Sequence, residues 1–301
     1  MATYQAQTAL PNGAPGPWGD PISISYDRRD VLLYAVGIGA RDLRFVYEGN
    51  PDFAVFPTFP IRWASAGATF PIRWASAGAP IDENLIPPSP GPLNIDAERY
   101  LEMVRPLPTE GTVQITSRLI GVHPRGTGNG FVETESEVTD ADGNLYLRMI
   151  HGSFRRGVEK LKDIEPFEGS GQTYSAKIVV PDRDPDTVAS VLIPDNQAHI
   201  YRLSGDYNPL HIDPEAAKFG GFNAPILHGL CTFGHCAHML LDALCDGDAN
   251  RFRKIKVRFS SPVMLGDTLQ VRAWDDGPGR VVFEACVADR VVVSNAFFEF
   301  E

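Results

Sequence analysis

The chain has 301 residues, 43% of them apolar and 22% charged, which fits a globular protein of two domains or one large one. Its formal net charge of -11 argues against a nucleic-acid partner, since binding that polyanion needs clustered Lys and Arg. A few local basic residues could still hold a phosphate-bearing ligand, and no apolar run approaches the ~20 residues that span a bilayer.

Residues 1–21 are rich in Pro and Gly and read as an irregular lead-in. They lack the charged start and apolar core of a secretory signal. Asp27-Arg28-Arg29-Asp30 then opens an apolar helix over 31–40, with Gly37 and Gly39 near its end. Residues 50–95 carry many Pro, Gly and Ala and little periodicity. Within them TFPIRWASAGA occurs twice in tandem, at 58–68 and 69–79. A single perfect duplication is not a repeat architecture, which needs several diverged units. It is expected in a surface loop that tolerates insertion, because closure entropy grows slowly with length. The competing reading is a flap over a ligand tunnel, built on Trp63 and Trp74. Both copies cannot fill one slot, so one should be displaced.

Strand patterns follow at 112–122, 130–140 and 144–155, with Asp142-Gly143 where a hairpin turn belongs. Residues 156–175 read as a charged connector. The second half predicts a strand over 175–181 and helices over 214–219 and 228–246. Strands over 252–262, 267–274, 281–287 and 291–300 complete it. The halves thus share one plan, helical material followed by antiparallel strands. That describes an α+β protein with two copies of one unit, divided here as 1–165 and 166–301. The cysteines, Cys231, Cys236, Cys245 and Cys286, all fall in the second half. Their placement argues against a local disulfide and fits a reduced, intracellular setting.

Chemistry concentrates in YRLSGDYNPLHIDPEAAKFGGFNAPILHGL, residues 201–230. Gly205 and Asn208-Pro209 force a turn that can fold Asp206 and His211 toward one point. An acid, an amide and an imidazole together form a set that can handle a water molecule. Asp213 and Pro214 suit the N-cap and first position of a short helix. Gly229 falls in the first turn of the next helix, where its N–H has no intrahelical partner and sits at the positive end of the dipole. Composition alone fits equally well a Gly/Asn/Pro-rich connection in which Asp and Asn merely cap helices. His228, Cys231, His235, Cys236 and His238 crowd one helix, but structural zinc sites rarely use one continuous helix, so no metal is expected.

The segment RLSGDYNPLHIDP resembles the signature of the (R)-specific enoyl-CoA hydratase 2 family, a branch of the MaoC-like hot-dog proteins. DVLLYAVGIGA, DLRFVYEGNPDF, RPLPTEG, PILHGLCTFG and VVVSNAFFEF resemble further segments of that family in the same order. The likeness covers roughly residues 20–301 and is greatest to the hydratase domain of eukaryotic peroxisomal multifunctional enzymes of β-oxidation. It implies a double hot-dog fold, two antiparallel sheets each wrapped around a helix. The first half would accommodate the acyl chain and the second would carry the catalytic motif. The implied reaction is reversible hydration of trans-2-enoyl-CoA to (3R)-3-hydroxyacyl-CoA. The alternatives are a 3-hydroxyacyl-thioester dehydratase in a synthetic pathway and a non-catalytic acyl-CoA-binding module.

By the same resemblance, Asp206 and His211 hold the water, and the motif does not assign either proton. Asn208 orients the water or the carboxylate, and the Gly229 N–H stabilises the enolate oxygen. Substrate contacts are implied for Tyr207, Pro209, Leu210, Arg125 and Phe259. The last two could instead be a solvated loop charge and ordinary strand core. Asp96-Ala97 stands where relatives carry His-Gly, which puts that contact in doubt. No metal or redox cofactor is implied, since coenzyme A is part of the enoyl-CoA or 3-hydroxyacyl-CoA substrate. A homodimer and a peroxisomal location are implied too. The closing FFEFE is not an SKL-type address, and without one the expectation is cytoplasmic.

Overall fold

A computed structural model describes residues 16–64, 94–125, 128–158, 167–168 and 177–301. Its frame is one antiparallel sheet of eleven strands. In chain order these are β1 (Ile22–Tyr26), β2 (Asn94–Met103), β3 (Gly111–Pro124), β4 (Asn129–Thr139), β5 (Leu145–Arg156), β6 (Phe167–Glu168), β7 (Thr187–Leu192), β8 (Phe252–Phe259), β9 (Thr268–Asp275), β10 (Arg280–Val287) and β11 (Arg290–Phe300). The spatial order is β1-β3-β4-β5-β2-β8-β11-β10-β9-β7, with β6 on β3. Strand β2 of the first half meets β8 of the second at the centre, and the other strands of this path fan outward in matching order, ending at β1 and β7. The seam runs from Glu98↔Arg258 to Glu102↔Lys254. There the buried Glu98 carboxylate accepts from Arg258 Nε at 2.6 Å and faces Lys256 Nζ at 3.6 Å.

Alternation along β2 separates the two faces. Leu101 and Met103 join the main core, whereas Tyr100 joins a small cluster with Ile120 and Ile150. The helices cover the first of these faces. Helix α1 (Arg28–Gly37) starts three residues before the predicted run. Its capping box explains why. Asp27 accepts from the Asp30 N–H, and the Asp30 carboxylate accepts from the Asp27 N–H, both at 3.1 Å. A short turn, α2 (Leu43–Val46), follows. In the second half come α3 (Gln197–Tyr201), α4 (Pro214–Phe219) and the long α5 (Gly229–Cys245). Helix α5 is buried on most of its surface against β7, β8, β9 and β11. It also crosses the end of α1 closely. A Cβ at Gly234 would lie 2.3 Å from the Ile38 side chain, so only glycine permits this approach.

Several expectations need correction. The run 177–181 forms no strand; the Ile178 N–H instead donates to the Asn295 side chain. The β9 edge is taken by β7, whose Thr187–Leu192 pair with Ala273–Thr268. Pattern reading also missed β1, β2 and α3. The duplicated segment is not a simple surface loop. The start of its first copy is a 3-10 turn, Phe59–Ala64, in which Phe59, Ile61 and Trp63 are fully buried. Thr58 shares a 2.8 Å hydrogen bond with the Tyr34 hydroxyl, and the Trp63 ring lies 5.4 Å from Tyr26 and 5.2 Å from Phe59. Trp63 is therefore core, not flap. The second copy, with Trp74, lies outside the described residues, as does the 165/166 division.

Candidate active site

The motif sits where α3 ends and α5 begins. After α3 a 3-10 turn, Arg202–Ser204, closes at Gly205, whose φ of +122° reverses the chain. A second 3-10 turn, Pro209–His211, is capped by Asn208, whose side-chain oxygen accepts from the Leu210 N–H at 3.1 Å. The Asn208 backbone N–H donates to the Asp206 carboxylate at 3.2 Å. The two turns swing Asp206 and His211 onto the N-terminus of α5. Asp206, His211 and His228 each bring one nitrogen or carboxylate oxygen to within 4.8 Å of the others.

Hydrogen bonds fix both imidazole tautomers, because a carbonyl can only accept. His211 Nδ1–H donates to the Ile226 carbonyl at 2.9 Å, which leaves its Nε2 lone pair free to accept. His228 Nε2–H donates to the Asp206 main-chain carbonyl at 3.1 Å. The rings stack, with centroids 3.7 Å apart and planes 25° apart, and Tyr201 lies 5.0 Å from His228 on another side. Burial pushes the His211 pKa down, opposed by the Asp206 charge and the Ile226 bond. Burial pushes His228 further down, with His211 and Arg202 adding in the same direction. Both rings are therefore neutral near pH 7.

Gly229, the first residue of α5, presents an N–H beyond the reach of intrahelical bonding. Phe259 covers it; a Cβ at Gly229 would lie 3.5 Å from that ring. Phe259 thus lies at the site as well as in the sheet. Asp96 and Ala97 lie just past the end of the β2–β8 ladder, on the Phe259 side, with Ala97 in a bulge. The Asp96 carboxylate already accepts from Arg99 at 2.9 to 3.1 Å and faces His151 at 3.5 Å. Arg125 is exposed at the mouth of the β3–β4 hairpin, 5.7 Å from the Phe131 ring. Tyr207 lies under the Arg202 guanidinium at 4.4 Å, and Leu210 packs by Gly220. Pro209 starts the second turn.

Two contributors have roles that the sequence did not show. The Ile226 carbonyl acts as backbone, and a backbone role leaves no mark on residue type. His228 was visible as the neighbour of Gly229 and among the residues weighed for zinc, but its stacking on His211 depends on tertiary placement. The other helix residues considered for zinc scatter. Cys231 donates to the Gly37 carbonyl at 3.3 Å, His235 packs by Gly39 and His238 faces Asp242 at 3.3 Å. Among the described residues, the set with metal-ligand spacing is Asp206, His211 and His228. The remaining lone pair of each stacked ring lies in its own plane. Two nearly parallel planes do not converge on one ion, so a cation would require the rings to unstack.

Both halves of the chain match known protein families. Residues 177–296 match the MaoC like domain family, and residues 24–157 match the MFE-2 hydratase 2 N-terminal domain family. The chain is 36% identical over 317 aligned positions to peroxisomal multifunctional enzyme type 2 of Mus musculus, covering 99% of this chain and 40% of that protein. It thus spans less than half of that relative's length. It is 33% identical to the peroxisomal enoyl-CoA hydratase 2 of Arabidopsis thaliana, covering 88% of this chain and 87% of that one. The crystal structure of a MaoC-like dehydratase from Phytophthora capsici superposes with a TM-score of 0.84 at 35% identity, covering 99% of this chain and 98% of that one. The expected double hot dog is therefore the fold, with the two sheets continuous across the β2–β8 seam. The turn that joins Asp206 to His211, the glycine that opens α5 and the likeness along both halves lead to one conclusion: the chain belongs to the enoyl-CoA hydratase 2 family of MaoC-like proteins.

Proposed function

We propose that this chain reversibly hydrates trans-2-enoyl-CoA to (3R)-3-hydroxyacyl-CoA, as a hydro-lyase of fatty acid β-oxidation. The observation that carries the reading is the tautomer of His211. Its Nδ1–H is held by the Ile226 carbonyl, so Nε2 is an acceptor beside the Asp206 carboxylate. The thioester carbonyl makes C3 of the enoyl group electrophilic. A water held between Asp206 and His211 attacks C3 through its oxygen and gives a proton to this pair, and C2 receives a proton. Negative charge passes through the thioester oxygen, where the Gly229 N–H donates. Asn208 steadies the Asp206 carboxylate through its backbone N–H and holds the turn through its side chain. Phe259, Tyr207, Pro209 and Leu210 line the approach, and Arg125 serves the coenzyme A moiety. Asp96, engaged by Arg99, contributes no direct contact in this reading, and neither does Ala97.

The steps need no metal or redox cofactor. The same site runs the reverse dehydration, so thioester supply decides the direction. The two halves divide the work, with 1–165 taking the acyl chain and 166–301 the chemistry. A homodimer and a peroxisomal location are part of the proposal, the latter because relatives are named as peroxisomal. Asp206→Ala and His211→Ala should each lower the turnover of crotonyl- or decenoyl-CoA by orders of magnitude while far-UV circular dichroism and Tm stay near wild type. Undiminished turnover in either folded variant, or an (S) product from the wild type, would refute the proposal.

A further inference from the structure

We infer that His228 is a positioning residue for the hydration, acting chiefly through its Nε2–H on the Asp206 main chain, with a lesser contribution from its ring stacked on His211. The inference rests on the hydratase reading and adds a residue to it. Four observations meet on this side chain. His228 is fully buried. Its Nε2 lies 3.1 Å from the Asp206 carbonyl, a contact that spans 22 residues of chain. Its ring stacks at 3.7 Å on His211. Its Nδ1 is buried without a hydrogen-bond partner among the described residues.

The cost of that orphaned nitrogen is informative. Phe or Leu at this place would fill the space without an orphaned ring nitrogen, but would take the donor away from the Asp206 carbonyl. A buried imidazole stands here despite that cost, and among the described residues its hydrogen bond is to the backbone of Asp206. That contact sets where the turn carrying Asp206 sits relative to α5, at whose N-cap position His228 stands. The stack sets the plane of His211, while the Ile226 carbonyl sets the rotation of the ring within that plane. One side chain thus locks the acid, the imidazole and the helix terminus into a single geometry. His228 is not placed to move the proton itself. A second positive charge 3.7 Å below His211 would oppose protonation of that ring, and the neighbouring Arg202 adds to the opposition.

The test uses two variants of the full chain. His228→Phe keeps a stacked ring and loses the donor. His228→Gln places a donor near the position of Nε2 and loses the ring. Loss of the hydrogen bond to the part-buried Asp206 carbonyl predicts a roughly 10- to 100-fold lower kcat for His228→Phe, with KM changed less than about threefold. His228→Gln should recover kcat to within about fivefold of wild type. A folded His228→Phe with wild-type kcat would overturn the inference. So would a folded His228→Gln as impaired as His228→Phe. If His228→Phe fails to fold, the Gln variant decides alone, and a kcat more than about tenfold below wild type counts against the inference. A wild-type chain inactive on every trans-2-enoyl-CoA would instead defeat the hydratase reading and this inference with it. An active wild type whose folded variants fail the pattern defeats only the inference.

Discussion

Replacing Gly229 by Pro isolates one backbone N–H without disturbing the helix that carries it. Gly229 is the first residue of α5, the position where Pro is best tolerated, because its N–H has no intrahelical partner to lose. The preceding residue must avoid the helical region, and His228 already does, with φ -57° and ψ 135°. A Cβ at Gly229 meets the Phe259 ring at 3.5 Å, an ordinary van der Waals contact. A Cβ is therefore accommodated, the backbone suits proline, and the main expected loss is the donor. A donor aimed at a developing oxyanion is worth about 2.7–4 kcal/mol, a fall of roughly 100- to 1000-fold in kcat. Gly229→Ala is the control. It keeps the N–H and adds the same Cβ, so kcat should stay within about threefold of wild type. The assay is steady-state hydration of crotonyl-CoA and decenoyl-CoA, with Tm and circular dichroism as folding checks. Wild-type activity in a folded Gly229→Pro variant would remove the oxyanion role. Equal losses in Pro and Ala variants would show that open space above Gly229 matters and that its N–H does not.

Acid should unfold the protein partly through buried histidines. Burial pushes His151 and His235 down to about 3, with the Arg99 charge adding at His151. The unfolded chain takes up these protons below about 6.5 and the folded protein only near 3, so stability is complete above 6.5 and is lost as pH falls. Each group removes about 2.7 kcal/mol between pH 7 and pH 4.5. Urea unfolding at both pH values should show His235→Phe losing less than wild type by about that amount, and equal losses would refute the assignment. Deleting residues 69–79 yields the same chain as deleting 58–68, because the two segments are identical. It leaves Thr58, Phe59, Ile61 and Trp63 in their slot, so Tm and hydratase activity should barely change. A large change in chain-length preference would instead show that the extra copy touches the acyl chain.

Much of this protein is legible in its sequence. The strands of both meanders are long, β-branched and bounded by turns such as Asp142-Gly143, whose glycine has φ +84°. Helix α5 showed itself by its apolar length, and α4 by Asp213 and Pro214, which occupy the N-cap and first position as predicted. The elements that were missed are those whose partners are distant in sequence. Strand β2 exists because Glu98 to Glu102 pair with Arg258 to Lys254, far along the chain. The edge strand β7 carries exposed Val188 and Leu192 and gains its register only from β9. The duplication reads as a loop because repetition invites that assignment, whereas Phe59, Ile61 and Trp63 are large apolar side chains that fill the core.

The sequence by itself determined which residues could do chemistry. Turn formers at Gly205 and Pro209 bring an acid and an imidazole together locally, and a glycine opening a helix frees an N–H wherever that helix lies. Only the tertiary structure decided how these groups are poised. The Ile226 carbonyl selects the His211 tautomer, the His228 ring sets its plane and Phe259 covers Gly229. These are contacts of backbone atoms and ring faces across the fold, and residue type encodes neither. A local motif can be read from neighbours in the chain, but the direction of a lone pair depends on what the completed fold places beside it.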